Sequence, residues 1–212
     1  MGGHRLTSHT VDSEEQLRAL IGEPAPLVVA KVAPRLNPLT RRFIEYSPFL
    51  CLATSDSAGN CDVSPRGDPR GFVRILDDET LLVPERPGNR LADSLCNVLQ
   101  NPRVGLLFVI PGVTDTFRVN GRATLTTDRA LLEPSAVEGK VPTLGLLVDI
   151  EVAFTHCSKA FLRSQLWDPS TFVARSELPS NGEIHRSLDE AFDAERYDLE
   201  RAARYARREG FY

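Results

Sequence analysis

Pro84-Glu-Arg-Pro-Gly-Asn-Arg-Leu-Ala-Asp-Ser-Leu-Cys-Asn-Val-Leu-Gln-Asn-Pro-Arg-Val-Gly-Leu-Leu-Phe-Val-Ile110 sets the reading of the fold. It holds a polar turn, an amphipathic helix, a stop and a strand, in that order. Leu91, Leu95, Val98 and Leu99 recur at the spacing of one helical face. Asn101-Pro102 ends the helix, because proline disfavours the α region for the residue before it. Val104 to Ile110 is an apolar run of strand length, expected to be covered on both faces. Gly88-Asn89-Arg90 puts a flexible residue, a capping residue and a cation at the helix start. Free backbone N–H groups and the helix dipole favour an anion there, and Arg86 and Arg90 add charge-assisted donors. The turn reads as a phosphate seat.

Working outward, the flanking segments read as strands with short connections. Phe49 to Thr54, the turn Asp56 to Asn60 and Cys61 to Pro65 form a hairpin. Phe72 to Leu76, Asp77-Asp78 and Thr80 to Val83 form another, and Thr116 to Thr126 and Leu144 to Val152 are further strands. About six or seven strands with few helices imply a mainly β, α+β fold, an antiparallel barrel with peripheral helices. Before it, Ser13-Glu-Glu-Gln16 caps a short helix with Leu17, Leu20 and Ile21 on one face, after a loose tail of a dozen residues. Pro26 to Pro38 reads as an extended connector with Val28, Val29 and Val32 docking. Pro38 to Tyr46 reads as a helix burying Leu39, Phe43 and Ile44. Thr127 or Asp128 caps a short helix to Glu133, and 134–143 is an expected mobile loop. Ser158 to Gln165 is a helix ending at Trp167-Asp-Pro169, and Pro179 to Gly182 is a linker. Ser187-Leu-Asp-Glu190 caps the last helix.

The 212 residues suit one domain: a helical extension over 1–47, a barrel core over 48–157 and a helical segment over 158–212. The net charge of −4 argues against a nucleic-acid partner, and no apolar run approaches a membrane span. The N-terminus lacks the apolar stretch of a signal peptide, so a cytoplasmic location is expected. Cys51, Cys61, Cys96 and Cys157 lack C-x-x-C spacing, which suits reduced thiols. The histidines His4, His9, His156 and His185 are too dispersed for a metal site.

A second anion-seeking stretch is Val63-Ser-Pro-Arg-Gly-Asp-Pro-Arg-Gly-Phe-Val-Arg74, which offers Ser64, Arg66 and Gly67. Glycine lets backbone N–H groups approach a ligand, and a neighbouring arginine fork matches phosphate geometry. Solvated loop arginines are the competing reading. Thr114 to Arg122 alternates polar and apolar residues, with Thr116 and Arg118 on one face of a strand.

These residues carry a resemblance. Phe49 to Asp56 with Gly59, Asp62-Val-Ser-Pro-Arg-Gly-Asp68, Arg86-Pro-Gly-Asn-Arg90, Asn101-Pro-Arg-Val104 and Val119-Asn-Gly-Arg-Ala123 resemble the pyridoxamine 5'-phosphate oxidase-like FMN-binding split-barrel family. The likeness is to a bacterial subgroup of FMN-dependent enzymes that shares the tail Phe154 to Pro169, and it runs from about Pro34 to the final Gly-Phe-Tyr. It implies a six-stranded split barrel and a homodimer with FMN at the subunit interface. By the same resemblance, Arg66 holds the phosphate with Asn89 and Arg90, Val83 and Pro84 lend backbone to the ring, and Thr116 and Arg118 come from the partner subunit. The arginine-x-histidine-aspartate-arginine ending of the vitamin B6 oxidases is missing, which points to another small-molecule substrate. Lys159, Arg163 and Trp167 are the candidates to flank the reactive face; a solvated helix face and a core or dimer anchor are the alternatives. His156 is either a proton donor or structural. An FMN-dependent oxidoreductase is the resulting expectation. The rivals are a non-catalytic flavin sensor and the same barrel with a deazaflavin or haem.

Overall fold

The computed structural model describes residues 9–212 and divides them at Val32/Ala33 into two units. His4 and most of the expected N-terminal tail lie outside the described residues. In the first unit, helix α1 (Glu14–Ile21) starts at Ser13, whose hydroxyl accepts from Gln16 N as expected. A second helix, α2 (Pro26–Ala30), replaces the expected extended connector. Proline at a first helical position needs no N–H and has its φ already set, so the punctuation opened a helix rather than forbidding one. Leu20, Ile21, Leu27, Val28 and Val29 are exposed.

The second unit begins with α3 (Pro38–Tyr46). Asn37 caps it, its Oδ1 accepting from Leu39 N and Thr40 N at 2.9 and 3.0 Å, with Pro38 at the first helical position. Ile44 is buried and Phe43 packs against the core; Leu39, expected inward, is 75% exposed because it sits in the first turn on the outer side. Then come β1 (Phe49–Ser55) and β2 (Cys61–Gly67), β3 (Arg74–Ile75) and β4 (Thr80–Pro84), α4 (Asp93–Gln100), β5 (Arg103–Val109), β6 (Thr116–Thr126), α5 (Arg129–Leu132), β7 (Gly145–His156), α6 (Lys159–Ser164), α7 (Asn181–Leu188) and α8 (Ala194–Ala206). All seven strands join one antiparallel sheet in the order β2-β1-β5-β6-β7-β4-β3. The fold is mainly β within the α+β class, and two-residue β3 is the strand beyond the six of the split-barrel expectation.

One apolar cluster fills the inside of the sheet. It draws Leu50 and Leu52 from β1, Leu81 and Val83 from β4, Leu106 and Phe108 from β5, Phe117 and Val119 from β6, and Leu146 and Val148 from β7. β5 alternates buried and half-buried residues, so one face is fully covered where two were expected. Gly121 marks a bulge in β6 opposite β7; a Cβ there would lie 1.9 Å from Asp149 O, so only glycine lets the strands meet.

β2 breaks the apolar pattern. Leu50, Leu52 and Thr54 pair in register with Arg66, Ser64 and Asp62, and directly opposed residues share a sheet face. The core-facing side of β2 is therefore polar. Its outer side presents Val63, 65% exposed, and the same face of β1 presents an exposed Phe49 opposite Gly67.

At the C-terminal end, Ser180 and Glu183 form the capping box of α7, where the expectation placed a linker, and Asp193 caps α8. Ser187-Leu-Asp-Glu190 has the same spacing, but α7 already ends at Leu188. Gly182 explains which cap forms: its N–H donates to Asp198 Oδ1 at 3.0 Å, and a Cβ would lie 2.4 Å from Ala194 O. Among the described residues no helix is long and apolar enough to cross a membrane.

Candidate functional site

The polar face of β2 opens into a cavity of about 610 Å³, walled by β2, the end of β4, the 85–92 loop and the first turn of α4. Ser64, Arg66, Gly67, Pro84, Asn89 and Arg90, all expected at the site, line it together. The other expected residues stand elsewhere. Val83 is in the core. Thr116 is buried on β6 opposite His156. The Arg118 guanidinium lies 4.7 Å from the centroid of the Phe154 ring, and its buried Nε has no hydrogen-bond partner. Trp167 donates from Nε1 to Val113 O at 2.9 Å and packs on Phe161. Lys159 and Arg163 are exposed on α6, away from the cavity lining.

The helix start expected at Gly88-Asn89-Arg90 is displaced. α4 begins at Asp93 after Ala92, so Leu91 precedes the helix and is exposed, Leu99 points outward, and Leu95 and Val98 face inward. Asn89 does not cap the helix; its Oδ1 accepts from Leu91 N at 3.0 Å, an Asx-type turn inside the loop. Arg90 and Ala92 both have left-handed backbone, φ 64° and 59°, a conformation that non-glycine residues adopt at a cost.

The hydrogen bonds along the wall run in one direction. Arg66 Nε donates to Ser64 Oγ at 3.3 Å, the Ser64 and Ser94 hydroxyls meet at 2.8 Å, and Ser94 Oγ donates to Asp62 Oδ2 at 2.6 Å. Because the Ser94 proton is used on Asp62, Ser64 supplies the proton between the two serines. The chain therefore runs from guanidinium to carboxylate, each bond polarising the next. Arg66 Nη1 also donates to Glu85, which lines the same cavity.

Arg86 is held differently. Its Nε donates to Asp68 Oδ2 at 2.6 Å and its Nη2 to Ser135 O at 2.7 Å, while its guanidinium lies over the Tyr212 ring. Tyr212 donates its hydroxyl to Asp68 Oδ1 at 2.6 Å, and this bond, helped by burial, raises the phenol above its ordinary value. Lys140 Nζ donates to Tyr212 O at 2.8 Å. A second cavity of about 400 Å³ opens here and shares Glu85, Arg86 and Pro87 with the first.

Asp62, Glu85, Ser94 and Tyr212 were missed as site residues. Asp62 had a signal: the Asp62-x-Ser64-x-Arg66 alternation puts three polar side chains on one face of β2. Glu85, Ser94 and Tyr212 had none, because their partners lie 19, 32 and 144 residues away in the chain. Among the described residues no group of three or more His, Cys, Asp or Glu is placed to hold a metal ion.

A family model for pyridoxamine 5'-phosphate oxidase matches residues 36–157, a span that contains this cavity. Among solved structures, HupZ of Group A Streptococcus is 20% identical, with a TM-score of 0.46 over 57% of this chain and 93% of its own. An FMN-binding protein from Syntrophomonas wolfei is 13% identical, with a TM-score of 0.44 over 68% of this chain and 96% of its own. A protein from Clostridium acetobutylicum related to general stress protein 26, of the pyridoxinephosphate oxidase family, is 14% identical, with a TM-score of 0.38 over 56% and 91%. No curated protein matches the chain.

Proposed function

Because this chain belongs to the pyridoxamine 5'-phosphate oxidase family, we propose that it is an FMN-dependent oxidoreductase acting on a small molecule. The observation that carries this reading is the assembly of Ser64, Arg66 and Arg90 on one cavity wall. The cavity is of small-molecule size, and its donors suit a phosphoryl group: a part-buried guanidinium fork, hydroxyls and a second arginine. Arg66, Ser64, Asn89 and Arg90 would hold the phosphate end, with Pro84 and Gly67 bordering the rest of the cofactor. FMN, when bound, supplies hydride acceptance and donation at its ring system.

The protein's own part is binding, orientation and exclusion of water. The Arg66–Ser64–Ser94–Asp62 chain fixes the guanidinium so that little ordering remains when an anion arrives. Phe72, Pro84 and Leu95 give the cavity apolar walls. A homodimer completes the reading. Phe49 and Val63 lie exposed on the outer face of the β1–β2 hairpin, a surface suited to a second copy. By the family resemblance, Thr116 and Arg118 would then serve the partner's cavity, and Trp167 would flank the reactive face or anchor the dimer. Lys159 and Arg163 remain the candidates for an anionic substrate, and the free thiols fit the cytoplasm.

Purified protein is expected to be yellow, to release FMN on denaturation, and to be bleached by dithionite or a reduced nicotinamide. Colourless protein that takes up no FMN on titration contradicts the reading. Bound flavin that turns over with no donor and acceptor pair leaves a flavin-binding protein without catalysis.

A further inference from the structure

The phosphate seat is already neutralised from within. The cavity lining carries three arginines, Arg66, Arg86 and Arg90, and three carboxylates, Asp62, Glu85 and Asp93, so its formal charge is zero (3 − 3). Arg86 is committed to Asp68, whose side chain is 1% exposed, and to a backbone carbonyl. Asp62 is committed to Ser94. The pair between Arg66 and Glu85 differs, since both side chains remain part-exposed on the cavity wall, at 16% and 22%. Glu85 spends its carboxylate on the guanidinium that the phosphate needs.

We propose that Glu85 is an internal counter-anion for Arg66, displaced when a phosphorylated ligand binds, and that it sets how strongly the cavity prefers phosphorylated over unphosphorylated ligands. This rests on the assignment of Arg66 to the phosphate. A dianion placed beside Glu85 meets a like charge in a partly desolvated site, where repulsion is felt more than in water. The anion therefore replaces the carboxylate at Arg66 rather than joining it, and part of its binding energy goes into that exchange. Glutamine keeps an acceptor oxygen within reach of Arg66 and removes only the charge, so Glu85→Gln separates electrostatic competition from positioning.

The test is a titration of the full-length protein, stripped of bound ligand, with FMN and with riboflavin, followed by flavin fluorescence at fixed ionic strength. Glu85→Gln is expected to tighten FMN roughly tenfold and to leave riboflavin within about twofold. Glu85→Ala, a second neutral side chain, is expected to move FMN in the same direction. Unchanged or weaker FMN binding in Glu85→Gln overturns the proposal, as does equal tightening of both ligands, which would mean relieved packing. Arg66→Ala keeps the two readings apart. If it weakens FMN while Glu85→Gln changes nothing, only the role of Glu85 falls. If it leaves FMN unaffected, or if no form binds FMN, both fall together.

Discussion

Arg66 and Arg86 look alike in the sequence, two arginines in Gly/Pro-rich stretches, and both form ion pairs on the wall of one cavity. What separates them is how many directions each is held from. Arg86 is fixed by a buried carboxylate, a backbone carbonyl and an aromatic ring, and these contacts join Asp68 just after β2, the 85–92 loop, the turn at Ser135 and Tyr212. Arg66 is held by one hydroxyl and one part-exposed carboxylate, both at the cavity. A guanidinium held by a buried carboxylate, a backbone carbonyl and a ring braces the wall. One whose main partner is itself reachable from the cavity can exchange that partner for a ligand.

Substitutions can break this contrast. The largest effect expected is on stability, from Arg86→Ala. It leaves Asp68 buried without its cation, at a cost of about 3–5 kcal/mol in urea unfolding. Arg86→Lys should recover less than half of that, because one ammonium cannot reproduce a fork that serves Asp68 and Ser135 O together. A stability loss below about 1 kcal/mol for Arg86→Ala would erase the distinction. Ser94→Ala comes next. It opens the hydrogen-bond chain between Ser64 and Asp62, for about 1–2 kcal/mol by the same assay, with a modest loss of FMN affinity as Arg66 loosens.

Tyr212→Phe is the smallest, about 1 kcal/mol for the lost bond to Asp68, and its pH dependence sharpens the picture. Folding raises the phenol, so the folded state holds its proton more tightly than the unfolded chain does. The stabilisation is therefore complete below the ordinary tyrosine value near pH 10 and fades as pH climbs through the raised folded value. The wild-type and Tyr212→Phe unfolding free energies should accordingly converge only in strong alkali. A constant difference across that range would place the effect in packing.

How much of this was legible depended on how local the cause was. Strands and turns were readable where the chemistry lay within a few residues. Asp56 folds the β1–β2 turn by accepting from Ala58 and Asn60, and Asn37-Pro38 starts α3. Errors arose where two local signals competed. Pro26 opened a helix instead of extending a connector, Asp193 rather than Ser187 caps the last helix, and α4 starts after Ala92 rather than after Asn89. Of the cavity, the residues on β2 and the loop were legible because alternation and arginine spacing report on one face. The carboxylates that answer those arginines were not, since pairing between residues 18 or 19 apart in the chain leaves no periodic trace in either segment.

The central claim is that Arg66 reads a phosphoryl group. It is met most directly by the ratio of FMN to riboflavin affinity in the wild type and in Arg66→Ala. The account predicts that the wild type favours FMN by more than about tenfold and that Arg66→Ala brings the two ligands nearly level, from the loss of one charge-assisted contact. An FMN preference that survives the substitution intact, or a wild type that holds both flavins equally, would contradict it.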